Sequence, residues 1–157
     1  MSFLAKLVLG STEYNILTVE YDFTQMTDVN NRPNGLPKGG LIQIMIESSN
    51  NHEIFEWMIK PNMLKSGSIV FYRRDANSPM KTVTFSDAFC VYLKEMFNAE
   101  GKVPMLTRLT LSAREIKINN KLSIANPWPG MKSSAGSDGA ASSGQSQETT
   151  ISSMVMG

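Results

Sequence analysis

Residues 66–97 read SGSIVFYRRDANSPMKTVTFSDAFCVYLKEMF. Ser68-Ile69-Val70-Phe71-Tyr72 is a short run rich in β-branched and aromatic residues. Arg73-Arg74-Asp75-Ala76-Asn77-Ser78-Pro79 has the composition of a turn. Residues 80–97 then hold neither proline nor glycine and keep a period of two. Val83, Phe85, Phe89, Val91 and Leu93 share one face, and Met80, Thr82, Thr84, Ser86, Ala88 and Cys90 share the other. The pattern predicts a hairpin whose second arm far exceeds the usual strand of about five or six residues. A strand that long is seldom flat. Asp87 interrupts its apolar face, so a bend or bulge is expected close by. The stretch reads as a stave of a barrel or tube.

The flanking segments have the same character. Residues 98–104 turn the chain, and residues 106–118 form a strand in which Leu109, Leu111 and Ala113 share one phase and Ile116 and Ile118 the opposite one. A switch at Ala113-Arg114-Glu115 is what a bulge produces, and sheets that curl need such bends. Upstream, residues 2–9 are apolar on both faces, which suits an interior or interface strand. Gly10-Ser11 makes a turn. Residues 13–24 alternate, with Asn15, Leu17, Val19, Tyr21 and Phe23 expected inward and Thr18, Glu20, Asp22 and Thr24 in water. Residues 41–48 place Ile42, Ile44 and Ile46 inward and Gln43 and Glu47 outward. The residues alone thus predict a curved, mainly β domain.

Two segments break the β pattern. Asn50 offers a helix N-cap with Glu53 three positions on, as in a capping box, and Pro61 ends the helix. Its apolar residues, Ile54, Phe55, Trp57, Met58 and Ile59, span an arc of about 200° where a surface helix needs closer to about 100°. The excess predicts packing on the sheet on one side and on another subunit on the other. Residues 25–40 form a long polar connection whose prolines and glycines forbid a regular element. Pro33 and Pro37 stiffen it, favouring an extended arm that reaches a neighbour. Arg32 and Lys38 are its expected charged contacts.

Composition narrows the function. The chain has 157 residues, 15 basic and 14 acidic, for a formal charge of +1. That balance gives no electrostatic case for nucleic acid or an anionic membrane. Nothing approaches the roughly 20 apolar residues of a membrane span, and the N-terminus has no secretory-signal pattern. Cys90, the single cysteine, cannot form an internal disulfide. The expected organisation is a folded domain over residues 1–126 and a Ser/Gly-rich, low-complexity extension over residues 127–157, with a β-prone end at residues 149–156.

No constellation of side chains points to catalysis. The single histidine, His52, starts a helix and reads as solvated; Cys90 reads as a buried structural thiol. One His and one Cys cannot make a metal-ligand cluster. The glycines between 35 and 40 lack the GxxxxGK[ST] pattern and a following helix, so they form no phosphate loop. The expectation is a non-enzyme without cofactor or metal. The alternative is a monomeric small-ligand-binding β-barrel. Such a barrel needs an apolar cavity, which the wet faces Thr18-Glu20-Asp22 and Thr82-Thr84-Ser86 do not suit.

Several segments, in collinear order over roughly residues 1–120, resemble the tube protein of type VI secretion systems, the haemolysin-coregulated protein (Hcp) family, in a divergent branch. They are Met1-Ser2-Phe3-Leu4-Ala5-Lys6-Leu7, Phe55-Glu56-Trp57-Met58, Lys65-Ser66-Gly67-Ser68-Ile69-Val70-Phe71-Tyr72-Arg73-Arg74-Asp75-Ala76 and Leu109-Thr110-Leu111-Ser112-Ala113-Arg114-Glu115-Ile116. The resemblance implies a curved two-sheet β-barrel with one short flanking α-helix, related to contractile-phage tail-tube proteins. It implies homohexameric rings that stack into a hollow tube inside a sheath. The tube is expelled with a spike and carries effectors in its lumen. Sheath, spike, baseplate and effectors are the implied partners, with assembly in the bacterial cytoplasm and secretion without a signal peptide. Residues 29–40 of the connection would be the ring-stacking loop, with Asn31, Arg32, Pro33, Asn34, Gly35 and Lys38 as its candidate residues. The candidate subunit-interface helix would use Ile54, Phe55, Trp57, Met58 and Ile59. The extension past Trp128 departs from the compact family domain.

Overall fold

The computed structural model describes residues 3–74 and 78–129. The elements run β1 (Leu4–Leu9), β2 (Thr12–Tyr21), β3 (Leu41–Glu47), α1 (Glu53–Ile59), β4 (Lys65–Tyr72), β5 (Pro79–Phe97), β6 (Met105–Ile118) and β7 (Leu122–Ala125). All strand pairs are antiparallel, in the order β3-β2-β1-β4-β5-β6-β7. A further antiparallel pairing of β3 with β6 closes the first six strands into a barrel. The expected mainly β barrel with one short flanking helix is therefore present, its two walls being parts of one continuous sheet. From residue 130 on, the expected extension lies outside the described residues, as do Asp75, Ala76 and Asn77 of the expected turn.

Closure follows from two long strands that bend together. Lys65 of β4 pairs with Ala88 and Gly67 with Phe85, so Ser86 and Asp87 both oppose Ser66. That is the expected bulge. Asp87 sits at φ 52° and donates its backbone N–H to Ser66 Oγ at 3.1 Å. The extra residue flips the phase, and Ala88 and Cys90 follow Val83 and Phe85 into the core. Phe89 and Val91, expected inward, are displaced from it; a second register shift between Cys90 and Tyr92 leaves Val91 49% exposed.

The phase switch in β6 is also observed, with Leu109, Leu111, Ala113 and then Ile116 buried. Its cause differs from the expected bulge. Register between β5 and β6 is unbroken from Val83↔Ile118 to Cys90↔Leu111, so both strands turn the corner as a pair. At the corner the buried Arg114 donates from Nε and Nη2 to Asp87 Oδ2, at 2.9 and 2.7 Å. The guanidinium is thus held by a carboxylate where it enters the interior.

β2 shows the same effect. Ile16 pairs with Ile46 but Thr18 with Met45, which makes Leu17 an extra residue. Tyr14 is buried and Ile16 half-buried before the bulge; Val19 and Tyr21 pack on the core after it. Asn15, Leu17 and Phe23 were expected inward and are exposed instead. Phe23 lies past the strand end, edge-on to Tyr21, over Gly39, where an added Cβ would come within 2.2 Å of its ring.

β7 escaped the sequence reading. Asn119 and Asn120 both take left-handed φ, 51° and 54°, and reverse the chain so that Leu122 pairs with Ile118. Asn126 then ties the C-terminal segment to the barrel. Its Nδ2 donates to Gly39 O at 2.7 Å and to Ala113 O at 3.1 Å. Trp128 stacks on Phe89 with centroids 5.6 Å apart.

Candidate assembly surfaces

The helix is built into the barrel through Trp57 and Glu53. Trp57 is 1% exposed, stacks on Phe85 and donates its indole N–H to Ala88 O at 3.0 Å. Tyr14 of β2 donates its hydroxyl to Glu53 Oε2 at 3.0 Å, and Lys65 of β4 reaches Glu53 Oε1 at 3.1 Å. Burial, then the neighbouring Glu53 carboxylate, pushes the Tyr14 phenol well above its ordinary range. The expected capping box does not form: the N-cap is His52 rather than Asn50, so Glu53 is the first helical residue, and it is turned inward to these partners. Asn51 Oδ1 accepts the Glu53 N–H at 2.9 Å instead, and Ser49 Oγ accepts that of Asn51 at 3.2 Å.

The broad apolar arc of the helix divides into two parts. Ile54 and Trp57 are buried in the barrel; Phe55 and Met58 are about one-third exposed and Ile59 is 75% exposed. Of the five helix residues selected from the sequence, two belong to the core and three form an apolar outer face.

The connection between β2 and β3 is a narrow two-stranded arm. Thr24 and Lys38 exchange backbone bonds at 2.8 and 2.6 Å, Asn34 N donates to Met26 O at 2.6 Å, and Thr27 bridges to Pro33. The tip is tied around Asp28. Its Oδ1 accepts the N–H groups of Asn30 at 2.8 Å and Arg32 at 3.0 Å, and its Oδ2 accepts Arg32 Nε at 3.2 Å. Those backbone donors, Arg32 first and then Asn30, hold the Asp28 carboxyl below the usual carboxylate range. Asn31 and Gly35 supply the positive φ the turns require, 62° and 132°. At the base, Gly40 has φ 121°, and an added Cβ would lie 2.6 Å from Ala113 O.

The six loop residues selected from the sequence are thus brought together on one ordered arm. The sequence reading passed over what the arm displays: Val29 is 97%, Leu36 80% and Met26 62% exposed. It also passed over Asp28. An Asp followed by Asn and Arg two and four positions on is the available signal, since Asx side chains bind backbone N–H groups just downstream.

The remaining surfaces are shallow. Thr18, Glu20, Gln43 and Arg108 line a polar concavity on the outer face of β2, β3 and β6. An apolar groove of about 420 Å³ lies where β1 and β2 splay apart, lined by Phe3, Leu4, Leu17 and Met80 among others. Another, of about 360 Å³, lies beyond the end of β3, lined by Asn50, His52, Phe55, Glu95 and Met105 among others. The barrel interior is filled by side chains such as Ile44, Ile69, Phe85 and Leu109, which weighs against the ligand-barrel alternative. Among the described residues no group of three or more His, Cys, Asp and Glu is placed to hold a metal. Burial pushes the Cys90 thiol up to about 11, away from nucleophilic use. No described helix is long and apolar enough to cross a membrane.

Comparison with known proteins gives one consistent family. The model for "Hemolysin coregulated protein Hcp (TssD)" matches residues 1–129. The solved structure of Hcp1 from Flavobacterium johnsoniae is 35% identical, with a TM-score of 0.74, over 79% of this chain and 100% of that one. Hcp1 from Salmonella typhimurium is 12% identical, with a TM-score of 0.62 over 79% of this chain and 92% of that one. A secreted Hcp3 from Pseudomonas aeruginosa is 10% identical, with a TM-score of 0.54 over 81% of this chain and 99% of that one. The last two share the fold. The comparison with curated proteins finds no match.

Proposed function

Because the chain belongs to the Hcp (TssD) family, we propose that it works as the tube subunit of a type VI secretion system, a structural protein of a contractile injection machine. The observation that carries this is the family match over residues 1–129, joined by 35% identity to a solved Hcp1 along that protein's whole length. In the assembly we assign to it, six copies form a ring and rings stack into a hollow tube. Sheath, spike and baseplate proteins surround and cap the tube, and effectors travel in its lumen. It assembles in the bacterial cytoplasm and leaves through the apparatus. The unit that builds the tube is residues 1–126, with residues 127–157 as an appended extension.

Two surfaces support this reading. Phe55, Met58 and Ile59 form an apolar strip that suits the seam between subunits, while Ile54 and Trp57 anchor the helix that carries it. The arm, with Asn31, Arg32, Pro33, Asn34, Gly35 and Lys38, projects from the barrel and suits contact between rings. Its geometry is fixed before contact, so little freedom is lost on docking.

The test is secretion from the native bacterium. The full chain is expected in the culture medium of cells with an intact contractile sheath and absent from the medium when the sheath gene is deleted. Equal release from both strains overturns the assignment.

A further inference from the structure

Two exposed cations face each other across the β5–β6 ladder. Lys94 pairs directly with Arg108. Arg108 lies between the buried Thr107 and Leu109, and Leu93 packs on the core, so both cations project from the outer face of the barrel. Like charges directly opposite one another destabilise a sheet. Neither cation takes part in an ion pair among the described residues. Their row continues through Met45 of β3 to Thr18 of β2, and Arg108 also lines the polar concavity with Gln43 and Glu20. A local conflict in a sheet that otherwise follows the rules points to a surface kept for an anionic partner.

The chain itself brings carboxylates to this face. Asn126 is tied to Gly39 O and Ala113 O, and Trp128 stacks on Phe89, which points away from the core between the buried Ala88 and Cys90. Phe89 pairs with Ser112, four residues of β6 from Arg108, roughly 13 Å at about 3.3 Å per residue. The extension therefore leaves the barrel on the face that carries the cations. Its residues 130–157 lie outside the described residues, and their charged members are Lys132, Asp138 and Glu148. Asp138 is nine positions past Pro129, and a Gly/Ser-rich chain of that length spans roughly 15–18 Å. Glu148 is 19 positions past Pro129, which by the same rule spans roughly 22–26 Å. The uncharged, β-prone residues 149–156 follow at once, and Val91 and Tyr92, 49% and 45% exposed, lie beside Lys94. A tether of this length holds the carboxylates at about millimolar effective concentration. Exposed ion pairs too weak to retain a free peptide are then enough to retain a linked one.

We propose that the paired cations Lys94 and Arg108, on the outer face of β5 and β6, are the docking site of this chain's own C-terminal extension, held through Asp138 and Glu148. The docked extension shields the face from other acidic partners and uncovers it when displaced. This docking goes beyond the tube-subunit assignment and does not depend on it.

The experiment treats the full chain with a water-soluble carbodiimide, which joins a lysine amine to a carboxylate in contact with it as an amide, with loss of water. Peptide mass spectrometry is expected to find Lys94 joined to Asp138 or Glu148. The yield is expected to fall several-fold in about 1 M salt, where the screening length is about 3 Å. In protein assembled from equal parts of isotope-labelled and unlabelled chains, joined peptides are expected to carry a single label. Lys94→Glu with Arg108→Glu is expected to abolish the amide at position 94. Adding Asp138→Lys and Glu148→Lys to that variant swaps the charges and is expected to restore an amide between the same positions. Lys94 joined only to Glu20 or Glu47, or left unjoined where Lys132 reacts, overturns the docking. So do a yield unmoved by salt, mixed-label peptides as the main product, and a charge-swapped chain without the amide.

Discussion

Trp57 donates its indole N–H to the carbonyl of Ala88, 3.0 Å away and 31 positions later in the chain. The acceptor is the residue after the Ser86–Asp87 bulge, so the corner that curls β5 also receives the helix. Core packing and barrel closure therefore meet at one hydrogen bond. Replacing Trp57 by Ala removes a fully buried ring and leaves a buried carbonyl without its donor. The expected cost is about 3–5 kcal/mol. Denaturant melts of the purified chain check it, and a shift in stability below about 1 kcal/mol would show that the ring is not part of the core.

The outer face of the same helix behaves differently. Ile59→Ser with Phe55→Ser changes side chains that are exposed in the single chain, so the fold is expected to survive, with a circular dichroism spectrum like the parent's. Ring content in sizing chromatography is expected to fall sharply. Rings retained at parental levels would place the subunit seam elsewhere.

Asp28 orders the arm without belonging to the core. Asp28→Ala is expected to leave barrel melting unchanged, because the position is on a surface arm. The amides of Asn30 and Arg32 should then exchange with solvent much faster, and stacking should weaken while rings persist. Unchanged amide exchange at those two positions would contradict the tip geometry.

Tyr14 gives the barrel an alkaline limit. Its phenol is held neutral in the folded chain, with a folded value raised above the unfolded one of about 10. The stability it contributes is fully present below about pH 10 and is lost as pH rises through the folded value. Tyr14→Phe keeps the ring and loses one hydrogen bond, at about 1 kcal/mol near neutral pH. Glu53 stays paired with Lys65. Melting measured from pH 8 upward should fall less steeply for Tyr14→Phe than for the parent. Identical slopes would show that Tyr14 ionises freely in the fold.

Much of the barrel was legible because strand alternation and turn residues are local signals. The hairpin of β4 and β5, its bend at Asp87 and the inward triplet Ile42, Ile44 and Ile46 all follow from them. What the alternation hides is the consequence of a bulge. One extra residue reverses every side chain beyond it, so Val91 and Leu17 moved out and Ala88 and Cys90 moved in. Where a bulge falls depends on the partner strand, as Lys65 and Gly67 show for β5, and the strand's own pattern does not contain that partner. β7 was missed because four residues are too few for periodicity, although Asn119-Asn120 marked its turn. The helix arc correctly exceeded what one sheet covers. The arm's prolines and glycines marked a segment without a regular element, while its exposed Val29, Leu36 and Met26 were passed over because most of its residues are polar. Glu95, Asn50 and Met105 come together only through the closure of β3 on β6, which no single stretch of sequence reports.

The most direct test of the tube-subunit account is the solution mass of the full chain at micromolar concentration and physiological salt, by light scattering or sedimentation. The account predicts a dominant species of six copies of the 17.4 kDa chain, or multiples of that ring. A chain that stays at 17.4 kDa under those conditions would contradict it.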